Sequence, residues 1–136
     1  MDDKSFKLEI VTPRKVIFSG DVVSFTAPGV MGSFQVLTHH APLLAMTGVG
    51  EAKLREPHGD EIRFATSGGF VDVKDNHVVM LAESAERSNE IDTSAAQADR
   101  ERALKIIREH GTPEDIAQAK IDLEIAVNRI RVANKQ

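Results

Sequence analysis

The chain has 136 residues, of which 41% are hydrophobic, and a formal net charge of −4 at neutral pH. This length provides one modest hydrophobic core or two small domains. Cysteine, tryptophan and tyrosine are absent, which excludes disulfides and thiolate zinc sites and leaves few rings for stacking on bases.

The charge distribution and the apolar runs exclude two further classes of partner. Neither half of the chain is basic overall, so no contact with nucleic acid is expected. No apolar run is long enough for a signal peptide or a membrane span. We therefore expect a cytoplasmic chain that associates with a membrane only through other proteins.

The first part of the chain is typical of short β-strands separated by turns. Phe6, Leu8 and Ile10 alternate with other residues, which is the period of a half-buried strand. Gly48 to Arg55 and Asp60 to Thr66 predict a pair of strands joined by a turn. About eight strands with frequent turn signals favour a sandwich or a flattened barrel.

Local signals further along this part predict a hairpin and a change of region. Asp75-Asn76 is a two-residue link that suits a β-hairpin, and Ser67-Gly68-Gly69 indicates a bulge or a close backbone approach. Strand patterning ends at Ala82, and Glu83 to Glu90 reads as a bridge. We assign residues 1–86 to a β-sandwich domain.

The last part, from Asp92 to Ala133, is typical of two helices joined by a tight turn. Gly111 suits the position just past a helix end, where positive φ is easy. Thr112 can cap the second helix, and Pro113 suits its first position. The predicted fold class is α+β, with the N-terminal β-sandwich or flattened barrel followed by a C-terminal antiparallel α-helical hairpin in residues 87–136.

An apolar seam runs along the second helix at spacings of three and four residues: Ile116, Ala119, Leu123, Ala126, Ile130 and Ala133. Every second member is alanine, whose methyl group buries little area, so the hairpin should pack closely yet be marginally stable alone. The first helix offers the smaller set Ala96, Ala103, Ile106 and Ile107. A second row, Ile121, Ile125 and Val132, lies off the seam. It packs on the protein's other half or docks on a partner, and the sequence leaves both open.

Motifs for catalysis or metal binding are missing. There is no Gly-x-Ser-x-Gly nucleophile elbow and no phosphate loop. His39 and His40 are adjacent and would face opposite ways on a strand, so they make a poor pair of metal ligands. His58, His77 and His110 read as polar residues of loops or strand ends. We predict an interaction or regulatory module with no catalytic residue, no metal and no cofactor.

Five segments, in unbroken order, carry a resemblance to a known family. They are Phe6 to Pro13, Phe18 to Gly20, Gly32 to Leu44, Ser67 to Val73, and the last helix with Ala117 to Ala119, Ala126, Arg131 and Val132. Together they resemble the ε subunit of F-type ATP synthase, the counterpart of the mitochondrial δ subunit. The resemblance covers nearly the whole chain.

Two segments depart from the family pattern. The family loop Gly-Ile-Leu-Pro-Gly-His is replaced here by Gln35 to His40, which bears on the rigidity of the loop. Some members bind ATP through (Ile/Leu)-Asp-x-x-Arg-Ala at the start of the last helix. Asp115 and Ala119 match that motif, whereas Gln118 replaces the arginine that would pair with a phosphate and Glu114 replaces the aliphatic residue. We therefore expect weak or absent ATP binding.

The resemblance implies a non-catalytic rotor subunit of the central stalk, peripheral on the cytoplasmic face of the membrane. It implies that the β domain couples the γ subunit to the c ring of a proton-translocating synthase during ATP synthesis. It also implies that the C-terminal helices inhibit ATP hydrolysis by reaching the catalytic β subunits. The implied contact residues are Ser33, Phe34, Gln35, Thr38 and His40 in the loop, and Arg100, Arg102, Arg108, Arg129 and Arg131 in the helices.

Two other classes stay open on the residues alone. One is a free-standing β-sandwich that binds a small ligand or a metal, and bound metal in the purified protein would favour it. The other is a small enzyme that uses His40 or His77 as a base. A turnover that is lost when either histidine is replaced would favour the enzyme.

Overall fold

The computed structural model describes residues 4–109 and 111–135. It divides the chain into two compact units, Met1–Arg87 and Ser88–Gln136, here called the β unit and the helical unit. The boundary expected from the sequence lies one residue earlier. The predicted α+β fold, a β-sandwich followed by a helical hairpin, is confirmed. The strands are β1 Phe6–Val11, β2 Val16–Val22, β3 Ser24–Gly29, β4 Gly32–Val36, β5 Leu43–Thr47, β6 Gly50–Arg55, β7 Glu61–Lys74 and β8 His77–Arg87.

The two longest strands, β7 and β8, run through both layers of the sandwich. Residues 69–73 of β7 pair with β5, and residues 77–81 of β8 pair in parallel with β1, which carries β2 at the edge. Residues 61–66 of β7 pair instead with β6. β6 pairs with β3, and β3 pairs with β4. The largest side chains enclosed between the layers are Phe25, Phe64, Leu8, Ile10, Leu54 and Met80.

The change of layer along β7 falls at Gly68 and Gly69, which have φ of +53° and +122°. A Cβ on Gly69 would lie 1.8 Å from the carbonyl oxygen of Leu81, so the two backbones touch at this point. Ser67 pairs with Ser84 and Gly69 with Ala82, so the register of β7 against β8 does not shift. Of the two alternatives taken from the sequence, close backbone approach is the correct one.

The predicted hairpins are confirmed, but the predicted end of the strand region is wrong. β6 and β7 pair antiparallel, and Asp75 and Asn76 link β7 to β8 with φ of +53° and +59°. These are the signs that a type I′ turn requires at both positions. Residues 83–87 continue β8, because Ala85 is buried opposite Thr66 while its neighbours are polar. Alanine gives too weak an apolar signal to mark a strand in the sequence.

The helical unit opens with a 3-10 turn, Ser88–Glu90, followed by α1 Thr93–Arg108 and α2 Pro113–Ala133. Thr112 caps α2 as predicted, since its hydroxyl accepts the amide of Asp115 at 3.1 Å. The positive φ expected at Gly111 stays a prediction, because this angle depends on His110, which lies outside the described residues. A Cβ on Gly111 would lie 3.3 Å from that of Asp115, so limited space is a further reason for glycine at this position.

The predicted seam is present. Its alanines, Ala119, Ala126 and Ala133, are buried, and its larger members are half-buried. The three residues of the second row differ in exposure: Val132 is fully buried, Ile125 is half-buried and Ile121 is 51% exposed. Within the part of the chain that the structure describes, no helix combines the length and hydropathy of a membrane span.

Candidate interaction surfaces

A row of apolar side chains crosses the outer face of the β unit. Met46 of β5 pairs with Phe70 of β7, which pairs in turn with Leu81 of β8. Leu81 also pairs with Val11 of β1, and Val11 pairs with Val16 of β2. We call these five residues the apolar stripe. Met46, Leu81 and Val16 are 62%, 37% and 58% exposed, and a row of this kind on five neighbouring strands is typical of a contact surface.

The turn between β3 and β4 extends this surface. Val30 and Met31 form its tip and are 63% and 97% exposed. The amide of Val30 donates to the carbonyl of Met46 at 3.0 Å, which ties the tip to one end of the apolar stripe. Leu44, two residues before Met46 on β5, is exposed as well. The apolar surface therefore includes both strand residues and a turn.

The predicted contact loop begins as a strand. Ser33, Phe34 and Gln35 lie in β4 and pair with β3, so these predicted contact residues belong to a strand, and only Thr38 and His40 belong to the turn after it. Val36 is buried and Phe34 packs against the core, which explains the strand alternation. Ser33 and Gln35 point outward and are exposed.

The loop proper is the turn from Leu37 to His40. Thr38 and His40 are half-buried, and the ring Nδ1 of His40 lies 2.7 Å from the carbonyl of Ala41. The hydroxyl of Thr38 donates to the carbonyl of Ser5 at 3.4 Å. The side chain of Thr38 is therefore directed into the β unit.

The five helix arginines fall into two groups. Arg102, Arg108 and Arg131 are exposed, and the side chain of Arg100 is 41% exposed. Arg100 pairs with Glu101 at 3.1 Å and Arg102 with Asp99 at 2.7 Å, in both cases within α1. The side chain of Arg129 is only 16% exposed and lies 3.5 Å from Asp99, which joins α2 to α1. Arg129 thus contributes to the hairpin itself.

The residues of the degenerate nucleotide motif do not converge on one cavity. Asp115 is exposed, Ala119 is buried in the seam, and Gln118 donates to Asp122 at 3.0 Å. A cavity of about 230 Å³ lies between α1 and α2, and its lining includes neither Asp115 nor Gln118. Its charged residues are two acids and one base: Asp99, Asp122 and Arg102. This charge balance disfavours a polyphosphate.

One cluster of potential metal ligands was not anticipated from the sequence. Within the described ranges, Glu56, His58 and Asp60 form the one group of three whose ligand atoms lie within 4.8 Å of one another. His58 Nε2 is 3.1 Å from Asp60 and 3.8 Å from Glu56, at the exposed tip between β6 and β7. The alternation Glu-x-His-x-Asp across a turn is the signal that could have found it. The arrangement is that of solvated ion pairs.

The other described histidines, His39, His40 and His77, do not belong to this cluster. His77 pairs with Glu9 at 3.2 Å, and His39 is exposed. His110 lies outside the described residues.

A β-sandwich that exposes an apolar surface and continues into a helical pair defines a two-part interaction module. Two family models match these parts. Residues 5–88 match the β-sandwich domain of the ATP synthase delta/epsilon chain, and residues 89–134 match its long α-helix domain. The chain therefore belongs to the ATP synthase delta/epsilon chain family, and the resemblance drawn from its segments is confirmed.

Relatives of similar length support the assignment. The ATP synthase epsilon chain of Desulforamulus reducens is 39% identical over 96% of this chain and 98% of its own length. The epsilon chain of Syntrophomonas wolfei is 37% identical over 99% of this chain and 98% of its own length. The epsilon chain of Moorella thermoacetica is 40% identical over 95% of this chain and 96% of its own length.

Solved structures share the fold. A chain of the Euglena gracilis mitochondrial ATP synthase, in a structure of OSCP, F1 and the c-ring, superimposes with a TM-score of 0.80 at 22% identity, over 94% of this chain and 80% of that one. A chain of the Tetrahymena thermophila mitochondrial ATP synthase, in a structure of the central stalk and c-ring, superimposes with a TM-score of 0.64 at 18% identity, over 93% of this chain and 95% of that one.

Proposed function

We propose that the chain is the non-catalytic central-stalk subunit of a proton-translocating F-type ATP synthase. It couples the γ subunit to the c ring during ATP synthesis and inhibits ATP hydrolysis through α1 and α2. It stands on the cytoplasmic face of the membrane and is held there by protein contacts. The observation that carries the proposal is the match of both units, in order, to the two domains of the delta/epsilon family.

The apolar stripe supports a permanent partner for the β unit. Covering exposed apolar area stabilises a complex by roughly 25 cal/mol per Å². Met46, Leu81 and Val16 lie on an ordered sheet, so little conformational entropy is lost when they are covered. A rigid apolar surface suits a subunit that must transmit torque, and we assign it to γ.

The tip and the outward side of β4 support a second contact. Val30 and Met31 project from the sandwich, and Ser33 and Gln35 are exposed on the strand that follows. None of these four side chains is charged, which suits a partner surface next to a membrane. We assign this region, with Thr38 and His40 behind it, to the rotor contact with the c ring or γ.

The helical unit supports the regulatory part of the proposal. Its buried side chains are chiefly alanines, so folding the hairpin releases little free energy and modest contacts elsewhere can shift its population. The helices α1 and α2 have 16 and 21 residues, and at a rise of 1.5 Å per residue they are roughly 24 Å and 32 Å long. Arg100, Arg102, Arg108 and Arg131 are accessible to acidic loops of the catalytic β subunit. Arg129 becomes accessible to them once the hairpin opens.

Co-purification with γ tests the coupling role. The wild-type chain should bind γ, and Met46→Glu combined with Leu81→Glu should weaken binding at least tenfold, because a buried carboxylate without a partner is costly. Gln97→Glu combined with Ala98→Glu, at two exposed sites on α1, adds the same two charges and should bind like the wild type. A wild-type chain that does not bind γ would refute the proposal.

Cross-linking in the assembled enzyme tests the second contact. Cysteines at Ser33 and Gln35 should form products with the c ring or γ, whereas a cysteine at Pro57, on the exposed tip between β6 and β7, should not. Thr38 is a poorer site because its side chain is half-buried. The absence of any product from Ser33 and Gln35 would contradict the assignment.

A further inference from the structure

The turn from Leu37 to His40 adopts a conformation that its sequence does not favour. The amide of His40 donates to the carbonyl of Leu37 at 3.2 Å, which closes a four-residue turn. His39, at its third position, has φ of +60°. A positive φ at this position is the requirement of a type II turn, and glycine is the residue that meets it without strain. A histidine needs support to stay there.

That support comes from the side chain of Asn76, in the turn between β7 and β8. Its Oδ1 accepts the amide of His39 at 2.7 Å and lies 3.4 Å from the hydroxyl of Thr38, whose single proton it shares with the carbonyl of Ser5. Its Nδ2 donates to the carbonyl of Ser5 at 3.1 Å. The backbone carbonyl of Asn76 also accepts the amide of Lys7 at 3.2 Å. One residue thus ties the turn to the segment that opens β1.

We propose that Asn76 is a positioning residue, whose side-chain amide holds His39 in its left-handed conformation and so fixes the turn behind the exposed surface of Ser33 and Gln35. Asn76 lies 37 residues from His39 and 71 residues from Ser5 in the chain, so this role depends on contacts between distant segments. The effect of Asn76 on the contact with a rotor partner rests on the proposed function. The effect of Asn76 on the conformation of the turn can be tested in the isolated chain.

The competing explanation is that Asn76 serves only its own hairpin. Asp75 and Asn76 both have positive φ, and asparagine is an ordinary residue at such a position. The two explanations predict different results for Asn76→Gly. Asp-Gly is a favoured type I′ pair, so this variant keeps the hairpin and removes only the side chain that reaches His39. Asp75→Gly alters the same hairpin and leaves that side chain in place.

Amide hydrogen exchange, measured on the full chain, distinguishes these two explanations for Asn76. His39 is exposed, so its amide is protected mainly by the bond to Asn76. In Asn76→Gly the amides of His39 and His40 should exchange about fivefold faster or more, the effect of losing one net hydrogen bond. In Asp75→Gly they should change less than about twofold.

A rescue variant adds a second readout. Glycine at position 39 needs no support, so His39→Gly in the Asn76→Gly background should restore the protection of the His40 amide. Exchange in Asn76→Gly that stays within twofold of the wild type, or an equal change in Asp75→Gly, would overturn the proposal.

The consequence for the rotor is measured separately. In the assembled enzyme, the cross-linking yield from a cysteine at Ser33 should fall in Asn76→Gly and recover when His39→Gly is added. If that cysteine forms no product even with Asn76 intact, the contact assigned to this surface is wrong. The exchange experiment then still decides the role of Asn76.

Discussion

The two units of this protein are stabilised by side chains of very different size. Apart from Val132, the largest fully buried side chains belong to the β unit, with Phe25 and Phe64 the largest of all. The buried apolar residues of the helical unit are alanines and that one valine. A core of large side chains supports a fixed domain, whereas a seam of methyl groups supports a structure that can open. The predictions that follow test this difference.

The largest effect is expected where two backbones touch in the β unit. Gly69→Ala would place a methyl group 1.8 Å from the carbonyl oxygen of Leu81, which no rotamer can relieve. We expect a loss of more than about 4 kcal/mol in the free energy of unfolding, measured by urea titration followed by circular dichroism. Gly68→Ala is the control, because its methyl group would meet only the flexible side chain of Glu83, and we expect a loss of about 1 kcal/mol. Equal losses would refute the interpretation of this contact.

The next largest effect concerns the β core itself. Phe64 is buried and makes an edge-to-face contact with Phe18 at 6.5 Å between ring centroids. Phe64→Ala should destabilise the β unit by about 3–5 kcal/mol. Leu44→Ala, on an exposed site of β5, should stay within about 0.5 kcal/mol of the wild type. A small loss at Phe64 would mean that the core is not the source of stability.

A smaller effect is expected in the helical seam. Ala126→Gly loses helix propensity and a buried methyl group, together about 2 kcal/mol. Ala117→Gly, exposed on the same helix, loses only the propensity, about 1 kcal/mol. Amide exchange should accelerate in α1 and α2 and stay unchanged in β7 and β8. Acceleration in both units would show that they unfold together, which would contradict the claim that the helical unit can open while the β unit stays folded.

The smallest effect is expected for the ion pair that joins the two helices. Asp99 pairs with Arg129 at 3.5 Å, and its side chain is 45% exposed, so solvent screens the pair. Asp99→Asn removes this pair together with the pair between Asp99 and Arg102, and it should cost the helical unit about 0.5 kcal/mol at low salt and less at high salt. Glu101→Gln, which removes an exposed acid of α1, should cost less than that at any salt concentration. A larger loss at Asp99 would make electrostatics, and not packing, the basis of the hairpin.

How far the sequence predicts this structure depends on how local the signal is. The Asp75-Asn76 hairpin, the Thr112 cap and the alternating seam follow from residues within a few positions of one another, and all were predicted. The last residues of β8 were missed because the one inward side chain there is Ala85. The crowding of Gly111 by Asp115 was not predicted, because it depends on how the chain turns between the two helices.

The surfaces were harder to predict than the fold. The apolar stripe takes one residue from each of five strands, so no segment of the chain contains its pattern. The support of His39 by Asn76 likewise depends on a contact between distant turns. The arginines could be identified as basic residues of a helix, but only the structure separates Arg129 from the exposed ones.

Truncation after Arg87 tests the central claim most directly, because it removes the helical unit at the observed boundary. We expect a soluble β unit that still binds γ. We also expect the assembled enzyme to hydrolyse ATP at least as fast as with the full chain and to perform ion-driven synthesis. A truncated chain that is insoluble or fails to bind γ would contradict the regulatory role of the hairpin, and it would make the hairpin a structural clamp.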